Sequence, residues 1–122
     1  MARYLADAAV TAREEAETSA VALSEMPSQW RSATGHPRKG SAPASIIGQL
    51  LVSPVLTYKT AAGMAGTSDR SAFSALDRLT DAEILSEITG NRRDRVWIAT
   101  DVFDELDRLQ ERIGRRTVRP RR

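Results

Sequence analysis

From Ala2 to Met26 small and apolar positions recur four and three apart, at Leu5, Ala9, Ala12, Ala16, Ser19, Leu23 and Met26, with charged residues between them. That spacing holds one stripe on one side of a helix. The Ala- and Glu-rich composition, free of Gly and Pro, favours the helix because these side chains lose little freedom in it. The stripe is mostly Ala, so it permits close approach, buries little area, and needs a partner in the same chain or in a second copy. Beyond Met26 the periodicity stops. Pro, Gly and Ser concentrate in "PSQWRSATGHPRKGSAPA", from Pro27 to Ala44, which reads as a linker. Trp30 within it is a candidate to dock onto a domain.

After Ala44 the pattern tightens. Ile46, Ile47, Leu50 and Leu51 form a helical stripe, with Ser45 as N-cap and Pro54 as the stop. Thr57 caps a second short helix, "YKTAAGMA", that ends at Gly66, and Ser68 caps a third, "DRSAFSALDRL", with Ala72, Ala75, Leu76 and Leu79 on one face. Two β-prone runs follow, "ILSEIT" and "RVWIA", joined by "GNRRD" as a hairpin with a basic tip. Last comes "DVFDELDRLQERI", capped by Asp101, with Val102, Leu106, Leu109 and Ile113 on one seam and Asp104, Glu105, Asp107 and Glu111 facing outward. The predicted fold is mostly α with a small β-hairpin: an N-terminal helix (1–26), a linker (27–44), a compact domain (45–113) and a basic disordered tail (114–122).

The length suits one compact domain with a short appendage. Eighteen Lys and Arg against sixteen Asp and Glu leave a net charge of only +2, so any basic surface must arise by placement. Cys is absent, which excludes disulfides, thiol catalysis and Cys-based zinc sites. The one His, His36, has no acidic neighbour in "GHPRKG" and reads as a solvated residue, so no metal and no cofactor is expected. The N-terminus carries a charge every few residues and no apolar run is long enough to span a bilayer, so the expectation is a cytoplasmic protein without a membrane partner.

Two short helices joined by "GTS" meet the needs of a helix-turn-helix: small residues where helices cross closely, at Ala61, Ala62 and Ala65, and a Gly at the sharp turn, Gly66. A hairpin directly after the second of them gives the order of a winged helix-turn-helix. In that architecture the later helix enters the major groove of double-stranded DNA and the hairpin tip, the wing, meets the neighbouring backbone. Asn91, Arg92, Arg93 and Arg95 would then face phosphates, for which arginine's planar fork is suited; the alternative is a solvated turn. On the third helix Ser68, Arg70, Ser71, Ser74 and Arg78 are the candidate DNA-binding positions, with Lys59 at the start of the second helix reaching a phosphate. Phe73 is read first as core, then as a contact to a thymine methyl or a protein. Arg115, Arg116, Arg119, Arg121 and Arg122 form a tail that binds polyanions without sequence preference.

The stretch from "IIGQLLVSPVLTYKTAAGMAG" through "TSDRSAFSALDRL" and "ITGNRRDRVWIA" to "DVFDELDRL" resembles the C-terminal winged-helix segment of many bacterial Fic-family proteins, over Ser45 to Ile113. The upstream "LADAAVTAREEAETSAVALSEMPSQWR" looks like the last helix of a Fic domain. That family transfers AMP from ATP to protein hydroxyls through a motif of the form HPFxxGNGRxxR, of which "HPRKG" shares only His and Pro. The resemblance therefore implies no catalytic residue, and points to a split or truncated C-terminal piece that is not an enzyme.

Two readings stay open. One is a DNA-binding winged-helix module with a transcriptional or autoregulatory role. The other is an interaction module that forms a homodimer through the N-terminal or C-terminal helix, or docks a separate Fic domain.

Overall fold

The computed structural model describes residues 2–88 and 95–117. It contains α1 (Ala2–Ala33), α2 (Ala42–Ile47), β1 (Val55–Leu56), α3 (Tyr58–Ala65), α4 (Asp69–Asp81), β2 (Leu85–Glu87), β3 (Trp97–Ala99) and α5 (Thr100–Thr117). The fold is mostly helical with a small antiparallel sheet, as the hydrophobic pattern predicts. The sheet has three strands in the order β1-β3-β2. Backbone contacts group the chain into two compact units, residues 26–102 and residues 1–25 with 103–122.

In the 26–102 unit, α2, α3 and α4 enclose Ile46, Ile47, Leu50, Ala61, Leu76 and Leu79, all removed from solvent. The sheet closes this core with Leu56, Leu85 and Trp97. Strand β3 is central, pairing Leu85 with Ala99 and Glu87 with Trp97 on one side, and Val55 with Ile98 on the other. The pattern gives no warning of β1, since two residues carry no period. Pro54 precedes it at a sheet edge, where a missing N–H costs nothing, and its carbonyl accepts from Ala99 N–H at 2.8 Å.

The linker is shorter than predicted at both ends. Helix α1 continues through Pro27 to Ala33 and carries Trp30 into the core, where its Nε1–H donates to the Asp101 carboxylate at 2.9 Å. Helix α2 begins at Ala42, with Ser41 rather than Ser45 as N-cap, because Pro43 is tolerated in a first helical turn. Between them α1 ends on Gly35, whose φ of +76° lets the His36 N–H reach back to Arg31 O at 2.7 Å. Asp101 lies inside the first turn of α5 instead of capping it, and Gly114 and Arg115, expected in the tail, belong to that helix. Arg119, Arg121 and Arg122 lie outside the described residues.

In the other unit the packed face of α5 is rotated from the predicted seam. Glu105 is 5% exposed whereas Leu106 is 41% exposed, so the expectation that Glu105 faces outward is wrong. Glu105 Oε2 accepts from the Ser19 hydroxyl at 2.7 Å and from Arg112 Nη2 at 3.2 Å, and Oε1 accepts from Arg108 Nε at 3.3 Å. Arg112 also holds Glu15, Nε to Oε1, at 2.7 Å. The polar bonds draw this face inward. Of the predicted α1 stripe, Ser19 and Met26 are buried and Leu23 half-buried, while Ala9 and Ala16 are exposed.

Candidate nucleic-acid interface

The caps of α3 and α4 follow from local chemistry. Thr57 and Thr60 form a reciprocal capping box, the Thr57 hydroxyl accepting from Thr60 N–H and the Thr60 hydroxyl from Thr57 N–H. Gly66 closes α3 at φ +60°, a left-handed conformation open to Gly without a Cβ clash, and Thr67 N–H returns to Ala62 O at 3.1 Å. Ser68 caps α4 by accepting from Ser71 N–H at 3.2 Å. Three residues, Gly66, Thr67 and Ser68, thus separate the helices, which fixes how α4 leaves α3.

Helix α4 buries Ala72, Ala75, Leu76 and Leu79. At about 100° per residue the opposite ridge is Arg70, Ser74, Asp77 and Asp81, all exposed. Phe73 borders the ridge on one flank, and Ser71 with Arg78 border it on the other. Lys59, Ser68, Arg70, Ser71 and Ser74 are exposed, and Lys59 and Arg70 make no ion pair among the described residues.

Arg78 and Arg95 have partners inside the protein. Arg78 Nη2 donates to Thr34 O at 2.6 Å, tying α4 to the end of α1. Arg95 grips Glu87 with two bonds, Nε to Oε2 at 2.9 Å and Nη2 to Oε1 at 3.0 Å. Its guanidinium lies 4.7 Å from the Trp97 ring centre and 5.8 Å from that of Phe73. The Glu87 hydrogen bonds hold Arg95 even more firmly protonated than a free arginine. Phe73 in turn stacks on Tyr58 at 4.8 Å and meets Trp97 edge-on at 6.3 Å. Arg95 therefore fastens the base of the hairpin to α4 and is a poor candidate for the phosphate contact its place in the sequence suggests. The cluster left one sequence sign: Glu87 pairs with Trp97, and Arg95, two residues before Trp97, falls on the same side of an extended chain. Asn91, Arg92 and Arg93 lie outside the described residues.

His36 is exposed, with a left-handed backbone at φ +56°. Among the described residues no helix is long and apolar enough to cross a membrane. No protein-family model matches this chain, and a comparison with curated proteins returned no match.

Proposed function

We propose that this chain is a non-enzymatic, cytoplasmic winged-helix module that binds double-stranded DNA, with α4 in the major groove and Asn91, Arg92 and Arg93 on the adjoining backbone. The observation that carries the reading is the solvent-facing ridge of α4. It stands free of the core immediately after a three-residue connection, and Arg95, paired with Glu87 across the hairpin base and lying over Phe73, fastens the hairpin alongside it. Arg70 and Ser74 on that ridge would meet base edges, Lys59 and Ser71 the phosphates. The resemblance to Fic-family C-terminal segments favours a regulatory role for such a module.

The test is fluorescence anisotropy of a labelled random duplex titrated with the full chain at low and then near-physiological salt. Beside it goes a variant whose tail arginines, Arg119, Arg121 and Arg122, are serine. Binding that survives in the tail variant supports the reading; binding that disappears with the tail, or is absent in the parent, overturns it. Once an operator is selected, Arg70→Ala is expected to relax the preference at one base pair by about 1–3 kcal/mol. A unchanged selection profile counts against α4 as the reader.

A second reading, self-association or docking of a Fic domain, is favoured by Val10, Val21 and Leu106, which are 47%, 60% and 41% exposed on α1 and α5. Sedimentation of the parent against Val21→Glu with Leu106→Glu decides it: a monomer in both removes the self-association half of that reading.

A further inference from the structure

We infer that the segment 31–41 is a second phosphate-contacting flank of α4, on the side away from the hairpin, and that the duplex backbone is gripped from both sides of the groove; this rests on the DNA-binding reading above. Charge placement is the first reason. Between Glu25 and Asp69 the chain has no acidic residue, while Arg31, Arg38, Lys39 and Lys59 lie in that interval. In a protein of net charge +2 this is a marked segregation. Helix α4 itself carries Asp69, Asp77 and Asp81 against Arg70 and Arg78, and Arg78 is committed to Thr34 O. A helix with that balance repels phosphate, so the elements beside it must supply the attraction.

Placement is the second reason. The Arg78–Thr34 bond puts the start of the 34–41 loop against the Ser71–Arg78 flank of α4. A cavity of about 270 Å³ is lined by Pro43, Ser71, Ser74, Ala75 and Arg78. Ala44 and Ser45 then help to line a cleft of about 590 Å³ with Arg31, Pro37, Lys39 and Gly40. The opposite flank holds Phe73, which meets Trp97 edge-on and lies under the Arg95 guanidinium. A helix about 10 Å across seated in a groove about 12 Å wide has one sugar-phosphate strand along each flank. One strand would meet the hairpin and the other this loop.

The loop is also shaped in advance. Ser41 N–H donates to Arg38 O at 2.9 Å across a turn whose third residue, Gly40, has φ +87°, leaving Lys39 at its outer corner. Gly35 N–H is held by Ser32 O at 3.1 Å. Arg31, Arg38 and Lys39 are exposed and form no ion pair among the described residues, so contacting phosphate breaks nothing.

The test is a salt titration of duplex binding for the full chain, for Arg38→Ser with Lys39→Ser, and for Arg92→Ser with Arg93→Ser. Each phosphate contact contributes about 0.9 to the slope of log affinity against log salt. Either double variant should thus flatten the slope by about 1.8, making the loss of affinity between about 50 and 200 mM salt about twelvefold smaller. The charge-keeping exchange, Arg38→Lys with Lys39→Arg, should restore the parent slope, which separates charge from loop folding. A parent-like slope in the Arg38/Lys39 variant beside a flattened one in the Arg92/Arg93 variant overturns the second flank and leaves the DNA reading standing. A parent that does not bind duplex at low salt overturns both. Equal losses on a single strand of the same length, with no preference for duplex, overturn the groove-flanking geometry.

Discussion

Glu105 is a carboxylate held among three donors, and each favours its charged form. The Ser19 hydroxyl is the largest influence, with Arg112 and Arg108 adding to it against the cost of burial, and together they hold Glu105 below the usual carboxylate range. A depressed folded value means that the stabilisation is fully present above the unfolded pKa, about 4.3, and is lost as pH falls through the folded value. Melting temperature should hold steady from about pH 7 to 5 and drop below that. Glu105→Gln should destabilise the protein at neutral pH by about 1–3 kcal/mol, because Arg112 and Ser19 lose their acceptor's charge, and should flatten the acid limb of the curve. An unchanged acid limb would assign the loss to other carboxylates. A second residue works against stability: Glu83 closes α4 at φ +64°, with its N–H on Thr80 O and Ile84 N–H on Leu79 O. A side chain there costs about 1 kcal/mol relative to glycine. Part of that is returned by glycine's greater freedom in the unfolded chain, so Glu83→Gly is expected to raise stability by about 0.5 kcal/mol in a denaturant titration.

The hairpin base is an element held by side chains more than by its ladder, since β2 and β3 have three residues each. Glu87 and Arg95 are each about a quarter to a third exposed, so the ion pair alone is worth at most about 1 kcal/mol. Its stacking against Trp97 and Phe73 adds to it. A double-mutant cycle on Glu87→Ala and Arg95→Ala should therefore show positive coupling, and Arg95→Ala should leave the salt slope of duplex binding near the parent value. A slope reduced by about 0.9 would instead make Arg95 a phosphate contact. The contrast explains which elements the sequence made legible. Thr57, Gly66 and Ser68 announce α3 and α4 because a cap is satisfied within four residues of chain. Trp30 holds α1 helical past Pro27 through Asp101, β1 exists through its pairing with β3, and Glu105 turns α5 through Ser19; none of these partners is near in sequence. The candidate site divides the same way. Arg70 and Ser74 were readable from the period of α4, whereas the internal partners of Arg78 and Arg95 were not.

Burial is distributed unequally along the chain. Among the described residues every buried hydrophobic side chain, from Met26 to Val102, belongs to the 26–102 unit, and the buried residues of the other unit are Ser19 and Glu105. The first unit is thus held mainly by apolar burial, at about 25 cal/mol per Å², to which the Trp30–Asp101 and Arg95–Glu87 contacts are additions. The second depends on a carboxylate that must stay ionised. Acid should therefore open residues 7–25 and 103–115 before the core formed by α2, α3, α4 and the sheet. Both tryptophans, Trp30 and Trp97, lie in the 26–102 unit and are 1% exposed, so their emission reports that core alone, whereas far-UV circular dichroism reports all the helices. Titrated downward from neutral pH, ellipticity should fall first while tryptophan emission stays at its native wavelength, and in Glu105→Gln the early loss should be present already at neutral pH. Coincident transitions in the two signals would show a single cooperative molecule in which the Ser19–Glu105–Arg112 cluster has no separate unfolding step.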